Sequence, residues 1–62
     1  MTRKYLTPQE LSDMLKIPTG TLSQWRFHGR GPRYFKDRKT IRYDVADVQE
    51  WIDRNKVKTE AI

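Results

Sequence analysis

The stretch PTGTLSQWRFHGR, near the middle of the chain, is the feature that most constrains the fold. Leu22 and Trp25 lie three residues apart and therefore share one helix face. Ser23, Gln24 and Phe27 fall on other faces of the same helix. The spacing predicts a helix that gives one apolar face to a core and leaves its other faces free for a partner.

This predicted helix has clear boundaries and a predicted neighbour. Gly29, Gly31 and Pro32 follow it and would stop it. The segment before it carries a second apolar stripe, which ends in a proline-containing turn and consists of Leu11, Met14, Leu15 and Ile17. Two short helices joined by a tight turn predict a helix-turn-helix, in which the second helix would read DNA.

Several residues of this helix have more than one expected role. The spacing of Trp25 from Leu22 favours a core position over an exposed position for stacking on single strands. Phe27 and His28 fit either the edge of the core or the DNA-facing surface, and both alternatives stay open. Gly20 costs roughly 1 kcal/mol in helix stability relative to alanine. Close approach of a DNA backbone and neutral sequence drift are equally favoured explanations for a glycine at this position.

Size and composition exclude several classes of protein. The chain has 62 residues and no cysteine, so it has a small core and neither disulfides nor cysteine-ligated metals. His28 alone cannot form a zinc site, and we expect neither a metal nor a cofactor. No apolar run approaches the roughly 18 residues of a membrane span, and no signal-like apolar core is present. We expect a single soluble, cytoplasmic domain over residues 1–62, with its core at about 5–55, flexible termini and no membrane or small-molecule partner.

Positive charge is concentrated in the middle of the chain. Residues 19–43 carry seven basic groups and one acidic group, a net charge of +6, whereas residues 1–18 carry +1 and residues 44–62 carry −2. A basic block on the predicted reading helix and the segment after it is typical of proteins that bind a polyanion. A solvated basic surface is the less favoured alternative. The charge pattern predicts a polyanion as the partner, and the predicted helix-turn-helix makes duplex DNA the expected one.

The first helix has a well-defined predicted start. Thr7 is expected to be the N-cap, with Pro8 at the first helical position and Glu10 closing a capping box. The helix would run to about Lys16 and leave Ser12 exposed. Its buried side would carry Leu11, Met14 and Leu15. Before it, residues 1–4 are expected to be loose and Tyr5-Leu6 to pack beside the helix as a short hydrophobic lead-in.

The second half of the chain predicts a hairpin and a closing helix. Two β-rich runs, RYFK and TIRY, flank a charged turn, so a two-stranded wing would lie against the helices with Ile41 and Tyr43 on its core face. Asp44 can then cap a third helix. The apolar stripe of this helix comprises Val45, Val48, Trp51 and Ile52, and its acidic outer face comprises Asp47, Glu50 and Asp53. The tail KVKTEAI has no periodicity and is expected to fray.

Most of the chain resembles the small winged helix-turn-helix family of excisionases and AlpA-type regulators, which is related to the DNA-binding domain of MerR proteins. The segments that carry the resemblance are YLTPQELSDML, TLSQW, GRGPRYFK, IRY and DVADVQEWI. The resemblance implies a mainly α fold with a small β-hairpin: a helix-turn-helix, a two-stranded wing and a closing helix. It also implies a location in the bacterial cytoplasm or nucleoid.

The resemblance places DNA contacts on the second helix and on the wing. The expected recognition-helix contacts are Thr19, Gly20, Thr21, Ser23, Gln24 and Arg26. The expected contacts of the wing and its flanks are Arg30, Arg33, Lys36, Arg38 and Lys39. Many relatives have serine at the position of Pro18 and arginine at that of Thr19, so the first base contact differs here. Many also carry glycine at the position of Arg38, which makes this wing tip more basic.

The leading hypothesis is a non-catalytic excisionase, or recombination directionality factor, that binds and bends duplex DNA, associates head to tail on it and assists an integrase. A small AlpA-like transcriptional regulator is the alternative that uses the same domain. A protein-interaction module that uses Phe27, Tyr34 or the acidic third helix is an alternative of a different class. No plausible nucleophile–base pair or glycine-rich phosphate loop is present, so we expect no enzymatic activity.

Overall fold

The computed structural model describes residues 4–57, which form three helices and a three-stranded antiparallel sheet. In chain order the elements are β1 (Tyr5–Leu6), α1 (Pro8–Leu15), α2 (Thr19–Phe27), β2 (Phe35–Asp37), β3 (Thr40–Asp44) and α3 (Val45–Asn55). The predicted winged helix-turn-helix is confirmed, with β2 and β3 as the wing and α3 as the closing helix. Most of the tail that was expected to fray lies outside the described residues.

The capping box at the start of α1 is formed as predicted. The Thr7 hydroxyl accepts a hydrogen bond from the Glu10 backbone N–H at 3.0 Å, and the Glu10 carboxylate accepts one from the Thr7 N–H at 2.8 Å. Pro8 occupies the first helical position, where its missing N–H leaves no hydrogen bond unmade. These contacts fix the first residue of a helix that is too short to be stable by itself.

The turn between α1 and α2 is held by Ser12. Lys16 ends α1 in the left-handed conformation with a φ of +60°, and the N–H groups of Lys16 and Ile17 both donate to the Ser12 carbonyl oxygen. The Ser12 hydroxyl in turn donates to the Ile17 carbonyl oxygen. Pro18 then forms the N-cap of α2. The reversal between the two helices therefore needs only three residues.

The buried face of α1 differs from the prediction at two residues. Ser12, which was expected to be exposed, is buried, and Met14, which was expected in the core, is 49% exposed. At about 100° per residue, Leu11, Leu15 and Ser12 span one arc of the helix surface, and Met14 lies outside it. Burial of Ser12 is tolerated because its hydroxyl has a hydrogen-bond partner.

Glycines end α2 as predicted. Gly29 has a φ of +67°, and the Arg30 N–H reaches back to the Trp25 carbonyl oxygen at 2.7 Å, which closes the last turn. Gly31 has a φ of +86°, and a Cβ atom there would lie 3.0 Å from the Trp25 ring. Gly31 is therefore required both by its backbone conformation and by its contact with the indole.

The sheet contains one strand more than the predicted hairpin. Strand β3 lies in the middle, with β1 on one side and β2 on the other. Tyr5 pairs with Asp44, and Leu6 pairs with Tyr43, so the predicted lead-in is a strand. The Lys4 carbonyl oxygen also accepts a hydrogen bond from the Val45 N–H at 3.0 Å. Residue 4, expected to be loose, is therefore bound to the start of α3.

The core takes one fully buried side chain from each main element. Leu11, Leu22, Tyr43 and Val48 are each at most 1% exposed. Six partly buried apolar side chains surround them: Leu6, Leu15, Ile17, Trp25, Ile41 and Ile52. The predicted core position of Trp25 is confirmed, and its ring centroid lies 5.4 Å from that of Trp51 on α3. This small core holds α2 by one face only.

Candidate nucleic-acid interface

The face of α2 opposite the core is open to solvent. Gly20, Ser23, Gln24 and Phe27 are all exposed and follow one another at spacings of three, one and three residues. Because a helix turns about 100° per residue, these four positions form one stripe along its outer side. Ser23 and Gln24, both predicted to contact DNA, lie on this stripe. Phe27, whose role the sequence left open, lies on it as well.

The N-terminus of α2 presents unpaired backbone donors. Pro18 supplies no side-chain cap, and its carbonyl oxygen accepts hydrogen bonds from the N–H groups of Thr21 and Leu22 at 3.0 and 3.2 Å. The N–H groups of Thr19 and Gly20 have no hydrogen-bond partner among residues 4–57. A Cβ atom at Gly20 would meet nothing within 4 Å. A phosphate oxygen can therefore approach this end of the helix closely.

Arg26 contacts the wing as well as the surface. It is half-buried, and its Nη1 donates a hydrogen bond to the Tyr43 hydroxyl oxygen at 2.7 Å. Its Cζ atom lies 5.9 Å from the centroid of the Tyr34 ring. A guanidinium has five N–H donors, so this bond leaves others for a phosphate. Arg26 therefore ties α2 to β3, in addition to its predicted role as a DNA contact.

The tip of the wing is a two-residue turn made of basic side chains. Asp37 pairs with Thr40, so Arg38 and Lys39 form the whole connection between β2 and β3. Both are exposed, and Arg38 has a φ of +59°. A left-handed conformation in this turn is one that glycine adopts at lower cost. The tip thus carries a charge at a position where the backbone favours a residue without a side chain.

Two shallow depressions lie beside α2, one toward the wing and one toward the loop that follows the helix. Ser23, Arg26 and Lys36 line the first, between the outer side of α2 and β2. Arg26, Arg30 and Arg33 line the second, around the loop that follows α2. Of the predicted DNA contacts, Arg33 also borders a depression on the far side of the wing that includes acidic side chains. The structure therefore brings the outer stripe of α2, the loop and the wing together along one basic surface.

Sequence reasoning missed the contacts that fix the wing to α2. Arg26 and Tyr43 are 17 residues apart, and no periodic pattern relates them. The available signal was chemical, because a buried tyrosine hydroxyl requires a partner. Arg42 was also absent from the predicted set; its Nη1 donates to the Ile41 carbonyl oxygen at 2.7 Å. It pairs across the sheet with Phe35, on the side away from Ile41 and the core.

Two kinds of site are absent from the part of the chain that the structure describes. Among residues 4–57, no group of three or more potential ligand side chains is placed to hold a metal ion. In the same part of the chain, no helix combines the length and apolar character needed to cross a membrane.

A search of curated proteins and a search of solved structures each found no match. A family model described as a helix-turn-helix domain matches residues 5–56, which include both helices of the turn, the wing and α3. The chain therefore belongs to this family of DNA-binding helix-turn-helix domains, which includes the small excisionase-like and AlpA-like proteins.

Proposed function

We propose that this protein is a non-catalytic excisionase that binds specific duplex sites and bends them, so that an integrase can assemble an excision complex. The observation that carries the proposal is the placement of an exposed polar stripe on α2 beside a basic wing. Ser23, Arg26 and Lys36 line the depression that joins the two. On a surface of this kind, the helix can enter one groove of the duplex while the hairpin contacts the neighbouring phosphates.

The α2 helix enters the major groove in this proposal. Gln24 lies on its exposed stripe and is able to pair bidentately with the N6 and N7 positions of adenine. The open N–H groups at Thr19 and Gly20 bind a phosphate oxygen. Arg38 and Lys39 then contact phosphates or the adjacent minor groove through the wing tip. Groove contacts and phosphate contacts suffice for this function, so no catalytic step is required.

Several copies act together in the proposed mechanism. One such module buries on the order of 600–1,000 Å² on DNA, which gives limited specificity by itself. DNA has a persistence length of about 150 base pairs, so bending a short site costs free energy, which the contacts made by adjacent copies offset. Helix α3 carries Asp47, Glu50 and Asp53, of which Glu50 and Asp53 are exposed, and the basic segment 19–43 carries a net charge of +6. These opposite charges favour a head-to-tail row of subunits on DNA in the bacterial nucleoid.

Gel shifts with one site and with two or three phased sites test this mechanism, together with circular-permutation analysis of the bend. The expected result is a monomer in solution that binds the phased sites cooperatively and bends them. Independent occupancy of each site on straight DNA would refute the excisionase mechanism. That outcome would favour a small AlpA-like transcriptional regulator, which the same domain also supports because the family includes both kinds of protein.

A further inference from the structure

Phe27 is the one large apolar side chain on the outer stripe of α2. It is 84% exposed, although it belongs to the last turn of the helix. It shares this stripe with Gly20, Ser23 and Gln24, and Leu22 lies on the opposite side of the helix. Its one ring contact among the described residues is an edge-to-face contact with the neighbouring His28, with centroids 5.1 Å apart. Packing within the chain therefore does not account for its position.

We propose that Phe27 determines sequence specificity by contacting the 5-methyl group of a thymine in the major groove. This inference rests on the proposed DNA-binding function. A phenyl ring can neither donate nor accept a conventional hydrogen bond, so it recognises apolar groups. The thymine methyl is the apolar group that base edges present in the major groove.

The spacing along α2 locates the thymine. Gln24 and Phe27 are three residues apart, which corresponds to about 4.5 Å along a helix axis. Successive base pairs lie about 3.4 Å apart along a duplex. The thymine read by Phe27 therefore lies one or two base pairs from the adenine read by Gln24.

The surroundings of Phe27 favour DNA over a protein partner at this position. The ring borders the depression that also contains the charged side chains of Arg26 and Lys36. A purely apolar protein surface docked on Phe27 would leave these two charges desolvated without a counter-charge. A DNA groove supplies an apolar methyl group next to anionic phosphates, so it satisfies both parts of the surface.

Replacement of thymine by deoxyuridine removes only the methyl group and tests the inference directly. A preferred duplex is first selected with the full chain, and each thymine in it is then replaced singly by deoxyuridine. The wild-type protein is expected to bind about fourfold more weakly when one or two thymines near the Gln24-read adenine are replaced, since one buried methyl group is lost. The Phe27→Ala variant is expected to bind the thymine and deoxyuridine duplexes with equal affinity.

Two further variants separate this role from general effects. Phe27→Leu keeps an apolar side chain and is expected to retain part of the discrimination between thymine and deoxyuridine. Met14→Ala removes a similarly apolar side chain, 49% exposed on α1, and is expected to discriminate as the wild type does. Thermal unfolding of Phe27→Ala should match that of the wild type, because the ring is mostly exposed.

Three outcomes would overturn the inference in distinguishable ways. If the wild-type protein binds every deoxyuridine duplex as tightly as the thymine duplex, DNA binding stands and the role of Phe27 is refuted. If Phe27→Ala shows the same discrimination as the wild type, another residue reads the methyl group and the assignment is likewise refuted. If the wild-type protein binds no duplex at all, the DNA-binding function itself fails, and the inference fails with it.

Discussion

At the scale of single residues, two non-glycine residues within the described range 4–57 have backbone conformations that favour glycine. Lys16 has a φ of +60° at the end of α1, and Arg38 has a φ of +59° at the wing tip. A left-handed conformation costs a residue with a side chain roughly 1–2 kcal/mol. At Arg38 that cost falls on a residue with an exposed charge on the predicted DNA-binding surface.

Replacement of Arg38 by glycine should separate stability from binding. The Arg38→Gly variant should gain up to about 1 kcal/mol in unfolding free energy, because relief of the backbone strain exceeds the added flexibility of the unfolded chain. It should also bind all duplexes more weakly, with the salt dependence reduced by about one phosphate contact. Urea denaturation and fluorescence-anisotropy titrations at several salt concentrations measure the two effects.

Lys16→Gly is the matched control for Arg38→Gly. It removes the same charge from the same backbone conformation, outside the predicted DNA-binding set. It should gain similar stability and keep the affinity of the wild type. Equal losses of affinity in the two variants would show that only net charge matters and that the wing tip makes no specific contact.

Gly20 offers a second test at this scale. Its Cβ position is empty of protein atoms, so Gly20→Ala should raise the unfolding free energy by up to about 1 kcal/mol through helix propensity. The added methyl group should weaken duplex binding if a phosphate approaches the start of α2, as we propose. Denaturation and anisotropy titration again report both quantities. Improved stability with unchanged affinity would show that drift, and not DNA contact, explains this glycine.

At the scale of elements, the orientation of α2 relative to the wing depends on a polar bond. The Tyr43 side chain is 1% exposed, and its hydroxyl oxygen accepts the hydrogen bond from Arg26. The ring centroid of Tyr34 lies 6.0 Å from that of Tyr43, which adds an aromatic contact at the same junction. Helix α2 and the wing are therefore held in one relative orientation by side chains from α2, from β3 and from the loop between α2 and the wing.

Tyr43→Phe tests this junction without removing the ring from the core. Hydrogen bonds to charged groups contribute about 1.5–3 kcal/mol, but the half-buried Arg26 can regain water, so a loss of about 1–2 kcal/mol in unfolding free energy is expected. Affinity for the preferred duplex should fall more than affinity for random duplexes, because the relative orientation of α2 and the wing is less fixed. Denaturation and competition titrations measure this. An equal loss on both kinds of duplex would show that the bond stabilises the fold only.

The same scale shows what the sequence could and could not predict. The N-caps at Thr7 and Asp44, the helix-stopping glycines and the hairpin follow from local chemistry, and these were predicted. The left-handed C-cap at Lys16 was not. Strand β1 was missed because two residues, Tyr5–Leu6, have no period; they form a strand only because β3 extends far enough to pair with them. The exposure of Met14 and burial of Ser12 depend on where α2 packs against α1, which an eight-residue pattern does not determine.

The proposed DNA-binding surface could be predicted from the sequence in its composition but not in its detailed contacts. The basic middle of the chain and the outer stripe of α2 can be read from charge and spacing. The bond between Arg26 and Tyr43 cannot, because it depends on the tertiary contact between two elements. The position of Phe27 on the same stripe follows from helical periodicity. Its exposure could not be predicted, because it depends on where the wing lies relative to α2.

At the scale of the whole molecule, the positive charge is arranged so that most of it remains available to a partner. Seven basic residues lie in segment 19–43, and two of them, Arg26 and Arg42, are half-buried and donate hydrogen bonds within the chain. The other five are exposed: Arg30, Arg33, Lys36, Arg38 and Lys39. The number of phosphates that the protein neutralises should therefore be about five, if this surface binds DNA as proposed.

The salt dependence of duplex affinity measures that number directly. Each neutralised phosphate contributes about −0.9 to the slope of log affinity against log salt concentration, so five contacts predict a slope of roughly −4 to −5. The measurement requires anisotropy titrations of one duplex between about 50 and 200 mM salt, the range over which such contacts weaken binding by orders of magnitude. A slope between −4 and −5 would agree with binding through the loop and wing, whereas a slope near zero would contradict DNA binding by this surface.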